Sequence, residues 1–317
     1  MRRPQTKLRH KRLVVDAPAS TANLGAGFDA LALAVDVVDR VELTVRRKPG
    51  VTLTVDGEGT DVLPKDARNR FVVALETGLR WALGELPSGI GWSVRMHNAI
   101  PLARGLGSSA AATVAGLVAA NALAGETLDE HRLLELALQL EGHPDNAAAA
   151  IFGGFVVVVP GDGPPTVARF DAPPRLRCVF FVPTLELSTA QMRQALPAQV
   201  PYRDAVFNLG RAALTVAAFA AARSDYLRVA TEDRLHQGYR TGAYPALPAL
   251  LDAATGAGAL GAALSGSGSS VVAFTDSTEA SNAVADALAK AAESAGLEGS
   301  VQVLHPRSAG AVVVESD

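Results

Sequence analysis

The sequence holds one cysteine, Cys178, and only five lysines among 317 residues. A lone thiol forms no disulfide within the chain, which fits a reducing, cytosolic setting. Cys178 sits in the apolar run RCVFFVP, where a cysteine serves packing rather than nucleophilic chemistry. No apolar run reaches the ~18 to 20 residues of a membrane span, and the opening MRRPQTKLRHK lacks the apolar core of a secretory signal. A cytoplasmic protein without a membrane partner is expected. The formal net charge of −3 provides no broad basic field, so nucleic acid is not an expected partner either. The one basic cluster, Arg2, Arg3, Lys7, Arg9, Lys11 and Arg12, reads as a loose solvated tail over residues 1–12. Two chemical signatures are also missing. No histidines or cysteines stand at metal-ligand spacing, which argues against a zinc enzyme, and no GxGxxG opens a dinucleotide fold.

What is present is a folding composition, 49% hydrophobic and 19% charged, in a chain long enough for ~2 domains. Alternating runs at 37–46 and 51–55 predict strands joined by a KPG turn, and a strand-like run at 13–15 breaks at 17–27. Helical periodicity covers 69–83, and 90–97 returns to strand. A small-residue helix follows at 108–123, then a helix at 128–140, with Thr127 as its cap and Glu130 completing a capping box. The strand at 153–159 leads into PGDGPPTVARFDAPP, residues 160–174, which contains five of the 18 prolines. A domain boundary is expected at its end, dividing the chain into 13–174 and 175–317. Beyond it, a strand at 178–183, helices at 202–222, 224–236, 245–254 and 278–295, and a last strand at 300–304 indicate an α+β fold.

The stretch PLARGLGSSAAATVAGLVAAN, residues 101–121, places glycines and serines directly before a buried helix. Open N–H groups and the positive end of the helix dipole make such a loop an anion site; a plain tight turn is the competing reading. It is not a Walker A loop, because Ala110 stands where a lysine would be needed. Phosphates would therefore rest on backbone N–H groups and serine hydroxyls, with a Mg²⁺ and a carboxylate taking up charge. Glu135 and Glu141 are the acids available on the following helix, and both could equally be solvated helix positions. EGHPDN, residues 141–146, gathers His143, Asp145 and Asn146 either as a polar site or as the cap of a buried helix. ASTANLGAGFD, residues 19–29, is a second polar loop, with Asn23 and Asp29 among small residues.

Taken in order, five stretches resemble the GHMP kinase superfamily: APASTANLGAGFDALALAVD, PLARGLGSSAAATVAGLVAAN, EGHPDNAAAAIFGGFVV, DRLHQGYR and GALGAALSGSGSSVVAF. Within it, the chain is similar to the branch that acts on homoserine. The resemblance runs from about residue 13 to the C-terminus. It implies an N-terminal domain like domain 2 of ribosomal protein S5, a ferredoxin-like C-terminal domain, and a site between them. The implied reaction is transfer of the ATP γ-phosphoryl to the side-chain hydroxyl of L-homoserine. A homodimer is compatible with it.

Position by position, the resemblance assigns the phosphate loop to Pro101, Leu102, Ala103, Arg104, Gly105, Leu106, Gly107, Ser108, Ser109 and Ala110. It puts Mg²⁺ on Ser109 (or Ser108) and Glu135, and the nucleotide beside Asn69. Asn23, Asp29, His143, Asn146, Thr189, Arg193 and Arg240 form the implied homoserine pocket. Asn146, Glu135 and Ser109 are the implied catalytic set. Gly238 stands where the family usually has proline, SGSGSS at 265–270 replaces SGAGPT, and Ala26 replaces another proline; each change removes local rigidity. Mevalonate kinases, by comparison, carry an aspartate base where Asn146 stands, together with a lysine. An RNA-binding role for the S5-like half is disfavoured by the net charge. A ligand sensor without activity would be expected to lack the loop or Glu135.

Overall fold

The structure, a computed structural model, describes residues 8–317. The first half contains strands β1 (Arg12–Ala22), β2 (Leu31–Arg46), β3 (Gly50–Gly57), β4 (Gly91–Asn98), β5 (Phe155–Val159) and β6 (Thr166–Phe170). Its helices are α1 (Arg70–Leu83), α2 (Ser108–Ala124), α3 (Glu130–Glu141) and α4 (Asp145–Phe152). The second half has strands β7 (Arg177–Pro183), β8 (Gly261–Leu264), β9 (Val271–Thr275), β10 (Gly299–Leu304) and β11 (Val312–Ser316). Helices α5 (Thr189–Gln194), α6 (Tyr202–Ala220), α7 (Leu227–Ala230), α8 (Gln237–Arg240), α9 (Leu247–Gly256) and α10 (Thr278–Ser294) accompany them.

Two sheets carry the fold. The first runs β11-β1-β2-β4-β3, with β5 and β6 branching from β2; the second runs β10-β7-β9-β8 and is antiparallel throughout. This is the expected α+β class. Phe155 of the first sheet stacks on Phe219 of α6, ring centroids 4.0 Å apart, and so packs the two halves together. Cys178 is fully buried in β7, where burial pushes its thiol far above the ordinary range and leaves it an inert core residue.

Helix α2 is mostly buried and rich in alanine, and its small residues permit close approach. A Cβ on Gly116 would lie 2.4 Å from the Phe71 carbonyl oxygen of α1, and one on Gly78 would lie 2.6 Å from Ala120 Cβ. Helix α1 is capped by Asn69, whose side chain accepts from Phe71 N, and is closed by Gly84 in the left-handed region.

Several expectations are corrected. Arg2, Arg3 and Lys7 lie outside the described residues, but Arg9, Lys11 and Arg12 are not loose. Arg9 N donates to Leu123 O, the Asp317 carboxylate accepts from Lys11 N, and Arg12 pairs with Glu42 and Glu315. β1 does not break at Ala17. It continues to Ala22 with nearly every residue buried, because both faces are covered and no alternation is needed; Pro18 marks a bulge against β2. The linker 160–174 contains β6, paired with β5. Asp129, not Thr127, caps α3, accepting from Arg132 N. The helix expected at 224–236 ends at Ala230, because the Asp233 carboxylate accepts from the N–H groups of Leu235, His236 and Gln237. β6 of the first sheet ends at Phe170 and β7 of the second begins at Arg177, but 305–317 do not stay with the second sheet. β11 covers the outer edge of β1, with Leu13 opposite Ser316 and Val15 opposite Val313.

Gly116→Val should destabilise the protein by about 1–3 kcal/mol, since a side chain there forces α1 and α2 apart. The urea unfolding midpoint is the measurement, and an unchanged midpoint would show that the two helices do not need this glycine.

Candidate active site

The Gly/Ser loop is held from three directions. Ser20 N donates to Leu106 O at 3.0 Å, and Ser270 N donates to Arg104 O at 3.0 Å. Ser265 Oγ donates to Gly105 O at 2.6 Å and lies 2.9 Å from Thr21 Oγ1. Gly105 and Gly107 have φ of 75° and 74°, and a Cβ on Gly105 would sit 2.0 Å from Ser265 O. The Arg104 guanidinium is occupied by the carbonyls of Leu102, Pro183 and Thr184, so it ties the loop to β7 rather than facing an anion. Helix α2 then starts after Gly107 with no side-chain cap, which leaves its N-terminal end to an incoming anion.

A carboxylate stands beside this loop, and it is Glu141. Its Oε2 accepts from Ser109 Oγ at 2.8 Å, its Oε1 accepts from Thr113 Oγ1, and Arg70 Nε lies 3.3 Å away; the side chain is 3% exposed. Glu135 is elsewhere. It pairs with Arg132, which lies over the Trp81 ring, and so belongs to a surface cluster rather than the expected metal site. The two acids are six positions apart on α3, which puts them on different sides of the helix. Asn69, expected at the nucleotide, is buried and spent on the α1 cap and on Pro64 O.

Nine of the ten loop residues line a cavity of about 130 Å³, together with Glu141, His143, Asn146 and Thr189; Leu102 does not. A second cavity, about 40 Å³, adjoins it and shares His143, Asn146, Thr189, Gly266 and Ser267. Asn23, Asp29, His143, Asn146, Thr189, Arg193 and Arg240, the seven residues predicted for the substrate, all line this second cavity. Two larger cavities, each about 470 Å³, contain none of these groups, so volume does not identify the site.

The smaller cavity is strongly charged. Arg193 grips Asp29 with two hydrogen bonds, 2.6 and 3.0 Å, and this pairing raises the guanidinium pKa. Arg240 is 1% exposed and, among the described residues, forms no salt bridge. Burial, reinforced by Arg193, lowers its pKa to about 10. Phe28 presents its ring to both guanidinium groups, each 5.5 Å from its centroid. Asn146 has its amide orientation set by Ser20 Oγ, which donates to Oδ1 at 2.9 Å, and by Asp145 Oδ1, 3.4 Å from Nδ2. Asp145 is itself buried, and burial raises its pKa.

Relatives share this arrangement of segments. Residues 70–154 match the GHMP kinases N terminal domain, and 216–294 match the GHMP kinases C terminal domain. The homoserine kinase of Carboxydothermus hydrogenoformans is 40% identical over 296 residues, 93% of this chain and 94% of that one. The chain belongs to the homoserine kinase family. The Symbiobacterium thermophilum homoserine kinase is 45% identical over 240 residues, 73% of each chain. The crystal structure of homoserine kinase from Cytophaga hutchinsonii superposes with a TM-score of 0.87 at 32% identity, covering 96% of this chain and 98% of that one. A mevalonate kinase from L. major, at 19% identity and a TM-score of 0.71, shares the fold.

Three residues that act through others carry no role in the sequence reading. Ser20 orients Asn146, and Phe28 floors the charged cavity. Asp39 accepts from Ala99 N and Ile100 N and so fixes the entry to the loop. Ser20 and Phe28 stand inside a motif already singled out, whereas Asp39 gives no local signal.

Gly107→Val should lower ATP affinity at least about tenfold, because its Cβ would lie 2.4 Å from Ser20 Oγ and 3.1 Å from Asn146 Oδ1 at a φ that suits glycine. Calorimetry with ATP, alongside a melting curve, measures it; full affinity in a folded variant would remove the loop from the phosphates.

Proposed function

We propose that this chain transfers the γ-phosphoryl of ATP to the side-chain hydroxyl of L-homoserine, giving O-phospho-L-homoserine for threonine synthesis, in the cleft where the two cavities meet. The observation that carries the reading is the buried Arg240, a cation that forms no salt bridge among the described residues, in a cavity that also holds the Asp29–Arg193 pair. A buried cation favours an anionic ligand strongly. An α-amino acid brings both charges. Its carboxylate suits Arg240 and Arg193, and its ammonium suits Asp29.

With the amino-acid end held there, the side-chain hydroxyl extends toward His143, Asn146 and Thr189, the residues common to both cavities. The loop Gly105–Ser109 and the α2 N-terminus would receive the phosphates of ATP. Ser109 and Glu141 offer two adjacent oxygen donors that fit Mg²⁺, which favours oxygen ligands and few protein carboxylates. When bound, that ion would neutralise charge on the β- and γ-phosphates. One bond forms between the substrate oxygen and phosphorus as the bridging bond to ADP breaks. Asn146 can orient the hydroxyl but cannot accept its proton at neutral pH, so the proton passes to an oxygen of the transferred phosphoryl group or to water. Positioning and charge stabilisation suffice for a loose transition state.

Glu141→Gln should reduce kcat/KM about tenfold or more and increase the Mg²⁺ needed for half-maximal rate, while Glu135→Gln should leave both near normal. Parallel Mg²⁺ titrations decide between them; the reverse pattern would return the metal to Glu135.

Arg193→Lys and Arg240→Lys should each cost roughly 1.5 to 3 kcal/mol, about one to two decades in kcat/KM for homoserine, with the KM for ATP little changed. Initial rates with each substrate varied are the test. A defect confined to ATP would move these arginines to the nucleotide.

A further inference from the structure

The motif DRLHQGYR contributes Arg240 to the site, but its histidine does not line the cavity and has two hydrogen-bond partners of its own. His236 is fully buried. Its Nε2 lies 2.7 Å from Gly25 O, and its Nδ1 lies 3.1 Å from Arg240 Nη1. These partners determine the ring's protonation. A carbonyl oxygen only accepts, so Nε2 carries the hydrogen; a guanidinium only donates, so Nδ1 is bare. The ring is therefore a neutral imidazole that donates to one segment and accepts from another.

Both segments carry substrate residues. Gly25, at φ 80°, is the pivot of the turn 23–29; a Cβ on it would lie 2.1 Å from Thr231 O. Asn23 and Asp29 lie at the ends of that turn, joined by a hydrogen bond from Asp29 N to Asn23 Oδ1 at 2.9 Å. Arg240 Nη1 also donates to Gly266 O, the carbonyl that accepts from Asn23 Nδ2. The Phe28 ring packs on His236, centroids 5.1 Å apart. The imidazole thus spans the gap between the turn bearing Asp29 and the guanidinium of Arg240.

We propose that His236, as the neutral Nε2–H tautomer, is a positioning residue that sets Arg240 and the 23–29 turn at the separation an α-amino-acid zwitterion requires. This rests on the reading of Arg240 as a carboxylate ligand. Burial, the leading effect, lowers the pKa of His236, against the opposing pull of Asp233, 3.7 Å from Nε2. A protonated ring would turn an N–H toward the Arg240 N–H and set two cations together. No neutral side chain without both a donor and an acceptor can replace it.

The experiment compares His236→Phe, His236→Gln and Arg240→Lys, with homoserine and ATP varied separately and melting curves recorded. Phenylalanine keeps the stack on Phe28 and removes both hydrogen bonds; glutamine keeps one donor and one acceptor. His236→Phe should raise the homoserine KM at least about tenfold, with the ATP KM within about twofold, and His236→Gln should recover most of the loss. In the Arg240→Lys background the same phenylalanine change should add little, because the two act as a unit. If Arg240→Lys raises the homoserine KM and a folded His236→Phe does not, or shifts both KM values equally, the proposal falls and the reading of Arg240 stands. If Arg240→Lys leaves the homoserine KM unchanged, that reading falls and takes the proposal with it. Should His236→Phe fail to fold, the ¹⁵N resonances of His236 in the wild-type protein decide over about pH 5 to 8: a bare Nδ1 beside a protonated Nε2 supports the proposal, and a protonated Nδ1 overturns it.

Discussion

The rest of the site depends on how the backbone from Arg104 to Gly107 is fixed. Three consecutive carbonyls in this stretch, those of Arg104, Gly105 and Leu106, accept hydrogen bonds from Ser270, Ser265 and Ser20, residues of other segments. With those oxygens turned outward and occupied, the loop can turn its N–H side to the cavity. The approach leaves no room for side chains at Gly105, which explains why glycine and serine recur in motifs more than 150 residues apart in sequence. They are the facing sides of one contact. Because Ser20 lies on β1 and Ser265 follows β8, the same bonds bring the two sheets to one cleft.

The charged cavity is costly by itself. Arg193 and Arg240 repel each other, Asp145 and Arg240 are buried, and Asp29 answers chiefly Arg193. Such an arrangement opposes stability and favours a ligand that completes it, the usual relation between a preorganised site and the fold that supports it. Phe28 contributes without charge: its ring faces both guanidinium groups and backs the buried imidazole, so one apolar residue limits water around several polar ones.

Much of this was legible in the sequence, for identifiable reasons. Of the seven residues named for the substrate, Asn23 and Asp29 stand among small residues and His143 and Asn146 precede a small apolar run, which announces close backbone approach, whereas Thr189, Arg193 and Arg240 were named by the family resemblance alone. Glu135 was misassigned because spacing along α3 does not reveal which side of the helix faces the loop, whereas Ser109 and Thr113, one turn apart, both reach Glu141. Asn69 was read as a ligand although a buried asparagine before a helix satisfies its amide just as well by capping. The middle of the 224–236 segment looked helical because periodicity cannot register one aspartate collecting three backbone N–H groups. β11 was missed for a different cause: its pairing with β1 is between residues three hundred apart, and nothing local to 312–316 indicates it.

That strand also imposes an order on biosynthesis. β1 and β2 emerge from the ribosome early and can form their ribbon at once, but the outer edge of β1 waits for residues 312–316. Through the synthesis of everything between, the first sheet presents an unpaired edge to solvent, to neighbouring nascent chains and to chaperones. The closing contact is of very long range, so it comes late and slowly. Even small amounts of damage near the C-terminal strand should therefore act first on folding yield, while molecules that do mature keep an intact catalytic cleft.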